Sequence, residues 1–240
     1  MAPFDGVPPR LQALLSMVPP SAALADIGCD HGLLPIAAVL EGRVQYAVGI
    51  DRTDAILAPA RRRSQDLGLQ GRAVFRRGWG LRPLEEAEVQ CIVLAGMGAR
   101  TMVQCFQASS ERLRSIDTVV VQPNRDVAEV RRWFYAHGYH IDCETLPVVG
   151  RRAFPSIRAR IGAAPMPSDL ALQLGPRLME ETALRSRLLD WARGLREHLL
   201  RLARQPGFRG SEARKLAESI LTWERTNEAH GVSRTSDGHE

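Results

Sequence analysis

Between positions 26 and 31 the stretch LADIGCDHGLLP (24–35) places Asp26, Cys29, Asp30 and His31 around Gly28, with Gly32 just beyond. An apolar run that feeds a glycine turn and then a helix is how many nucleotide-binding sheets begin. Gly28 lets the backbone turn sharply and approach a ligand, and a helix opened by Gly32 offers free N–H groups and a partial positive charge. Asp51 ends the next apolar run, 19 residues after Gly32, where a carboxylate can accept both hydroxyls of a ribose. The plainer reading of Asp51 is a carboxylate at the N-terminus of the following helix.

Asp30 decides what kind of nucleoside fits, because it stands where such a turn usually has its second glycine. A pyrophosphate lodged there would meet the carboxylates of Asp26 and Asp30, and burying like charges together is unfavourable. S-adenosylmethionine has no phosphate and brings a sulfonium and an α-ammonium, which acidic side chains attract. Cys29 reads first as a small buried hydrophobe at a strand end. His31, in the first turn of a helix, reads as packed or solvent-facing before it reads as a base.

Composition narrows the chemistry. In this chain of 240 residues, 31 of the 32 basic residues are arginine and Lys215 is the only lysine, in the C-terminal region. Schiff-base enzymes, P-loop NTPases and Tyr-Lys dehydrogenases need a lysine in the catalytic domain. A nicotinamide-dependent oxidoreductase is therefore disfavoured twice, by Asp30 and by the missing lysine. The four cysteines form no C-x-x-C pair, so neither a zinc site nor a disulfide framework is suggested, and no metal is expected. No apolar run reaches bilayer length and no leader pattern opens the chain, so the default is a cytoplasmic protein with no membrane partner. A net charge of +5 is weak support for a polyanionic partner such as RNA.

These residues need an alternating scaffold, and the hydrophobic pattern supplies one. A short helix over 10–18 precedes strands at 22–27, 44–51, 72–77, 89–96 and 117–123, with helices at 32–42, 53–68, 100–109 and 126–138 between them. Strand after helix with short connections predicts a parallel sheet covered on both faces. Two final strands, 139–149 and 153–162, follow each other without a helix, which predicts an antiparallel pair on the sheet edge. The sheet domain is expected over 1–163, a helical hairpin interrupted at QPGFRG over 168–225, and an unpacked, disordered tail over 226–240.

The segments RLQALLSMVPPSAALADIGCDHGLLP, GIDRTDAILAPARRRSQDLGL, LAGMGARTMVQCF and VVVQPNRDVAEVRRWFYAHGY together resemble the TrmK family of bacterial tRNA methyltransferases, which methylate N1 of adenine 22. The resemblance spans roughly residues 10–162 and rests on D-I-G-x-D-H, A-G-M-G and Q-P-N. It implies a Rossmann-like class I methyltransferase, α/β, with a seven-stranded, mostly parallel sheet whose last strand is antiparallel, and a coiled-coil-like C-terminal extension. It also implies S-adenosyl-L-methionine as cofactor and tRNA as partner; a monomer is the favoured assembly.

Carried onto this chain, the resemblance makes Asp30 and Asn124 the catalytic candidates. It gives Asp26, Gly28, Cys29, Asp51, Arg52, Gly78, Trp79, Ala95, Gly96 and Met97 to the cofactor, and His31, Gly98, Gln122 and Pro123 to the substrate. Two departures stand out. Trp79 occupies a position where the family has Asp or Asn, and Phe154-Pro155 replace a Tyr-Glu pair in the last strand. They motivate an alternative, a divergent homologue that binds cofactor or RNA without transferring methyl groups or acts on a different substrate. Arg61-Arg62-Arg63, Arg76-Arg77 and Arg151-Arg152 are candidate phosphate contacts, or equally solvated faces.

Overall fold

The computed structural model describes residues 6–205 and 210–232. They fall into two compact units, divided between Met166 and Pro167. The first holds α1 (Pro9–Met17), β1 (Ser21–Ile27), α2 (Leu33–Leu40), β2 (Val44–Asp51), α3 (Asp54–Asp66), β3 (Ala73–Arg77), β4 (Cys91–Ala95), α4 (Ala99–Gln107), α5 (Ser110–Leu113), β5 (Thr118–Gln122), α6 (Val127–Ala136) and β6 (Tyr139–Thr145). It closes with the two-residue strands β7 (Val148–Val149) and β8 (Arg152–Ala153), then β9 (Ser156–Ile161).

Seven strands form one sheet in the order β3-β2-β1-β4-β5-β9-β6. Every pairing from β3 through to β5 is parallel, and β9 runs antiparallel to both β5 and β6. The central strands are apolar on both faces, as helices on each side require: all of β5 is buried, as are Cys91–Leu94 of β4.

The last two strands pair antiparallel at the sheet edge, as expected; within that pair β9 lies against β5 and β6 is outermost. They are also shorter than the sequence suggested, because β6 ends at Thr145 and a small β7–β8 hairpin intervenes. Pro147 and Pro155 cannot donate to a ladder, and Gly150 turns with φ 62°, so the apolar pattern continues where strand pairing cannot.

One glycine sets how closely the layers meet beneath the first loop. Gly32 caps α2 with φ 68°, a conformation costly for residues with a side chain. A Cβ there would lie 2.4 Å from Phe75 Cε1 on β3 and 2.7 Å from Ala60 Cβ on α3. The start of α2 is thereby seated against α3 and β3, which fixes where the preceding turn emerges.

The second unit contains α7 (Asp169–Leu174), α8 (Pro176–Glu180), a 3-10 turn (Thr182–Leu184), α9 (Arg185–Leu202) and α10 (Gly210–Val232). Ser168 caps α7 by accepting from Ala171 N at 3.2 Å. Gly175 at φ 103° and Pro176 in the first position of α8 add a break early in the region expected as a helical hairpin. α9 and α10 pack along each other, with Leu188, Ala192, Leu199, Ala213, Ala217 and Ile220 buried. Arg196 Nε bonds Glu224 Oε2 at 3.1 Å.

α10 continues to Val232, into the segment from 226 read as a disordered tail. Asn227 Nδ2 donates to Trp223 O at 2.9 Å and Glu228 pairs with Arg193, contacts that extend the helix beyond its apolar stripe. Residues 233–240 of that tail, and 206–209 of the expected interruption, lie outside the described residues. Among the described residues no helix is long and apolar enough to cross a membrane.

Gly32→Ala combines a left-handed backbone with a methyl forced onto Phe75. Stability is expected to fall by about 2–4 kcal/mol, seen as a lower urea midpoint with an unchanged denaturant slope. An unchanged midpoint would show that the seat of α2 is not tight.

Candidate functional site

β1, β2, β4 and β5 run parallel, so their C-terminal ends open on one edge, where ligands bind in open α/β sheets. Gly28 N and Cys29 N both donate to Ile50 O, at 2.8 and 3.1 Å, which bends the chain leaving β1 across the end of β2. That bend brings Asp30 N within 3.0 Å of Asp51 Oδ2. The other oxygen, Asp51 Oδ1, accepts from Arg52 N at 2.6 Å, and Asp51 O accepts from Gly78 N at 2.8 Å. Two backbone N–H groups thus orient the Asp51 carboxylate while leaving each oxygen a further lone pair.

Asp26, buried on β1 in register with Gly49 and Val93, lies beneath this turn. Its carboxyl is pushed up to about 7: burial is the main cause, the negative charges of Asp51 and Asp30 add to it, and Arg10 opposes it. Asp30 itself is exposed and adopts φ 50°, a left-handed turn that Asp tolerates better than most residues. His31 is exposed too, with Nε2 3.6 Å from Asp30 Oδ1 and its carbonyl accepting from Arg63 at 3.4 Å. Cys29 is buried, and burial next to Asp26 and Asp51 pushes its thiol far up. It stays protonated and packs under the turn, close to Gly49.

The opposite wall is a pair of loops zipped together. Gly96 N donates to Gln122 O at 3.3 Å and Asn124 N to Met97 O at 2.9 Å, while Asn124 Nδ2 donates to Gly96 O. Met97 crosses toward the first turn, since a Cβ on Gly28 would lie 3.0 Å from its Cε. Gly98 caps α4, and Ala95 pairs in register with Gln122. Along the third side, Gly78 is fitted against Pro83. Half-buried Trp79 follows it, with the Arg82 guanidinium 5.4 Å from its ring centre. The expected cofactor residues therefore gather around one cleft edge.

Two expected substrate residues sit deeper than a base edge requires. Pro123 and Gln122 are buried, and Gln122 is engaged at both ends of its amide. Oε1 accepts from Arg10 Nη1 at 2.7 Å, and Nε2 donates to Ser156 Oγ at 2.8 Å. Asn124, by contrast, is exposed and keeps an amide oxygen available.

Arg10 and Ser156 were not among the sequence candidates. Arg10 carried a signal: it lies four residues before buried Leu14, on the stripe by which α1 packs, where a charged side chain needs a partner. Phe154, singled out as a departure, lies under both Arg10 and Arg152, whose guanidinium carbons are 5.7 and 5.0 Å from its ring centre. Arg152 also donates to Asn124 O at 3.3 Å. Of the arginines offered to phosphate, Arg76 is committed to Glu88 at 2.6 Å, and Arg61 to Asp54 at 2.9 Å.

An acid-rimmed cleft between glycine turns, beside an aspartate oriented at the end of β2, can hold a nucleoside that carries positive charge. Among the described residues no group of three or more His, Cys, Asp or Glu is placed to hold a metal.

Known proteins share this architecture. The tRNA (adenine(22)-N(1))-methyltransferase of Bacillus subtilis is 31% identical over 137 residues, which cover 57% of this chain and 58% of that protein; the match spans little more than half of its length. The structure of Streptococcus pneumoniae Sp1610 in complex with S-adenosyl-L-methionine superposes with a TM-score of 0.78 at 23% identity, covering 90% of this chain and 98% of that one. M. capricolum TrmK in complex with S-adenosyl-homocysteine gives 0.80 at 19% identity, covering 91% and 98%. A family model described as a methyltransferase domain matches residues 7–155, more than half of the sequence and every strand end that forms the cleft, and the chain belongs to that family.

Proposed function

We propose that the protein transfers a methyl group from S-adenosylmethionine to N1 of an adenine in tRNA, and that the nucleotide is adenine 22. The observation that carries the reading is the convergence of Asp26, Asp30 and Asp51 on one glycine turn. Burial and its acidic neighbours push the Asp26 carboxyl up to about 7, so the free cleft is short of positive charge. A sulfonium and an ammonium relieve that shortage, whereas a diphosphate aggravates it. The 31% identical Bacillus subtilis relative supports the choice of base and RNA.

The residues fit the cofactor. Asp51 takes the ribose hydroxyls, with Gly78 and Trp79 beyond it on the adenine side. Asp26, the Gly28 turn, and Ala95, Gly96 and Met97 take the amino-acid end. Bound there, S-adenosylmethionine supplies an electrophilic methyl group on a positively charged sulfur.

Adenine N1 already has an in-plane lone pair, so this chain needs no base to expose it. Its task is to hold the ring edge in line, an effect worth several kcal/mol and about 7–11 kcal/mol when near ideal. Asp30, exposed at the rim, accepts from the exocyclic N6 amine and offsets the positive charge that develops on the ring. Asn124, tied to Gly96 by its amide nitrogen, presents its amide oxygen to the same edge. In a duplex N1 is engaged in pairing, so the target is unpaired or flipped out, at a cost of a few kcal/mol.

The Asp26 carboxyl, pushed up to about 7 in the free protein, titrates near neutral pH, and a cationic ligand favours its ionised form. Cofactor binding is therefore expected to release protons at and below pH 7, and affinity to rise as pH climbs toward about 7 and to level off above it. Calorimetry in two buffers of different ionisation enthalpy reads the release directly, and Asp26→Asn should abolish it. Without ligand the sign reverses the other way: the folded state holds the proton more tightly than the unfolded chain. Stability should then fall as pH rises from about 4 to 7, and Asp26→Asn should flatten that slope.

The reaction itself is tested with unmodified tRNA and nucleoside mass spectrometry, which should find 1-methyladenosine. Asp30→Asn keeps the turn and the backbone bond to Asp51 while removing the charge. Its kcat is expected to fall about 100-fold, with a smaller loss of cofactor affinity because Asp26 and Asp51 remain. Equal turnover by wild type and variant would remove Asp30 from the mechanism.

A further inference from the structure

The β7–β8 hairpin shares the cleft edge with the acidic turn but has the opposite chemistry. β6 ends and β9 begins beside the C-terminal end of β5, with Thr145 paired to Ser156 and Val121 to Ile157, so the segment between them emerges at that edge. Residues 146–155, LPVVGRRAFP, contain two arginines and no acidic residue. Val148 and Val149 are 46% and 43% exposed. Successive side chains of a strand point to opposite faces, so a ribbon lying flat on the core would bury one of the two. This one has solvent on both faces. Two residues per strand are too few to hold a ribbon by themselves. It is closed at its base, where Phe154 N donates to Pro147 O at 2.9 Å, and braced from the side by Arg152, which rests over the Phe154 ring and donates to Asn124 O at 3.3 Å.

Register decides which valine belongs to the cleft. Val149 pairs with Arg152 and Val148 with Ala153, and directly opposed residues share a face. Arg152 is the residue that reaches Asn124, so Val149 lies on the Asn124 side of the ribbon and Val148 on the other. Exposed Arg151 follows Gly150 in the turn at the tip. Exposed Arg125 follows Asn124 in the chain and lies over Gly98, where a Cβ would be 3.1 Å from its Nε. Asn124 is thus bordered by an apolar side chain and by cations. A partner that fits must offer an anion and a flat apolar face side by side, and an unpaired RNA strand repeats that combination at every nucleotide.

Resting on the tRNA reading above, we infer that the β7–β8 hairpin is the arm that holds the RNA strand beside the target adenine: Val149 packs on the neighbouring base, and Arg151 and Arg125 take the flanking phosphates. Arg152 ties the arm to Asn124, which presents the ring edge. Extruding a base leaves its neighbour unstacked, at a cost of a few kcal/mol, and an apolar side chain laid on that neighbour recovers part of it. The carboxylates at the ends of β1 and β2 and the basic arm beyond β5 then divide one cleft edge between a cationic cofactor and an anionic substrate.

The test reads binding of unmodified tRNA to the full chain by fluorescence anisotropy at several salt concentrations, with calorimetry of S-adenosylmethionine on each variant to report that it is folded. Val149→Ser is expected to weaken tRNA binding about 3- to 10-fold with an unchanged salt slope. Val148→Ser, equally exposed but on the other face, should bind tRNA as wild type does. Arg151→Gln should weaken binding and make the slope of log affinity against log salt shallower by about one. S-adenosylmethionine affinity should match wild type in all three. Unchanged tRNA affinity in Val149→Ser, equal losses in Val148→Ser and Val149→Ser, or an unchanged slope in Arg151→Gln overturns the assignment. If Val149→Ser also loses cofactor affinity, Val149→Thr, isosteric and β-branched, is read by the same criteria. A dimer in sedimentation that Val149→Ser dissociates, with tRNA affinity unaltered, gives the valine to a second copy of the chain and overturns it too. Wild type that binds S-adenosylmethionine but no tRNA sinks the tRNA reading and this arm together; wild type that methylates tRNA, with hairpin variants that bind it equally well, sinks the arm alone.

Discussion

The constraint on which the site depends is electrostatic. Asp26, Asp30 and Asp51 converge although Asp26 is buried and the charges of Asp51 and Asp30 oppose its ionisation. Nothing in their side chains favours the arrangement; the backbone enforces it. Parallel pairing puts the ends of β1 and β2 in register, the bonds from Gly28 and Cys29 to Ile50 O bend the turn, and Asp51 is held by the N–H groups of Asp30 and Arg52. Strain of this kind is tolerable because strand pairing and core burial elsewhere over-determine the local geometry.

The same constraint explains why Arg10 matters more than its place on a short first helix suggests. Even with Arg10 opposing it, the Asp26 carboxyl is pushed up to about 7, and without that counter-charge it would rise further. A cation free to move would close the cleft by pairing with the nearest carboxylate. Gln122 and Ser156 prevent that: they hold Arg10 at a neutral amide, near enough to act on Asp26 and committed elsewhere by geometry. A buried glutamine at the end of β5 therefore regulates charge at the end of β1 through an arginine more than a hundred residues earlier in the chain.

Much of this was legible in the sequence. The alternation of apolar runs gave the parallel sheet, and the placement of Asp26, Gly28, Asp30 and Asp51 relative to their strands gave one wall of the cleft, because both are local patterns with a fixed period. Contacts between distant segments were not legible. No spacing rule links Arg10 to Gln122 or Gln122 to Ser156, and an arginine on an apolar stripe announces only that it needs a partner. Element ends failed for a related reason. The stretch over 139–149 is apolar enough for a strand, but Pro147 ends its pairing, and α10 outruns its apolar pattern on contacts such as Asn227 to Trp223. Gln122 and Pro123 stand at the end of β5 but are buried, because whether a side chain faces inward or outward at a strand end depends on what packs behind it.

The two departures from the family pattern take on a different meaning beside the geometry. Trp79 and Phe154-Pro155 replace polar residues, which by itself suggests a cleft that has lost contacts. Each aromatic ring, however, lies beside arginine: Arg82 at Trp79, and Arg10 with Arg152 at Phe154. A planar guanidinium can rest on an aromatic face and still donate from its edge, which a lysine ammonium does less well. In a chain whose basic residues are almost all arginine, an aromatic at these positions holds a cation in place rather than leaving a gap. Phe154 thereby contributes through Arg10 and Arg152 what a polar side chain would contribute directly. Arg152, on β8 beside the Phe154 ring, bonds Asn124 O and so ties that segment to the turn that presents Asn124.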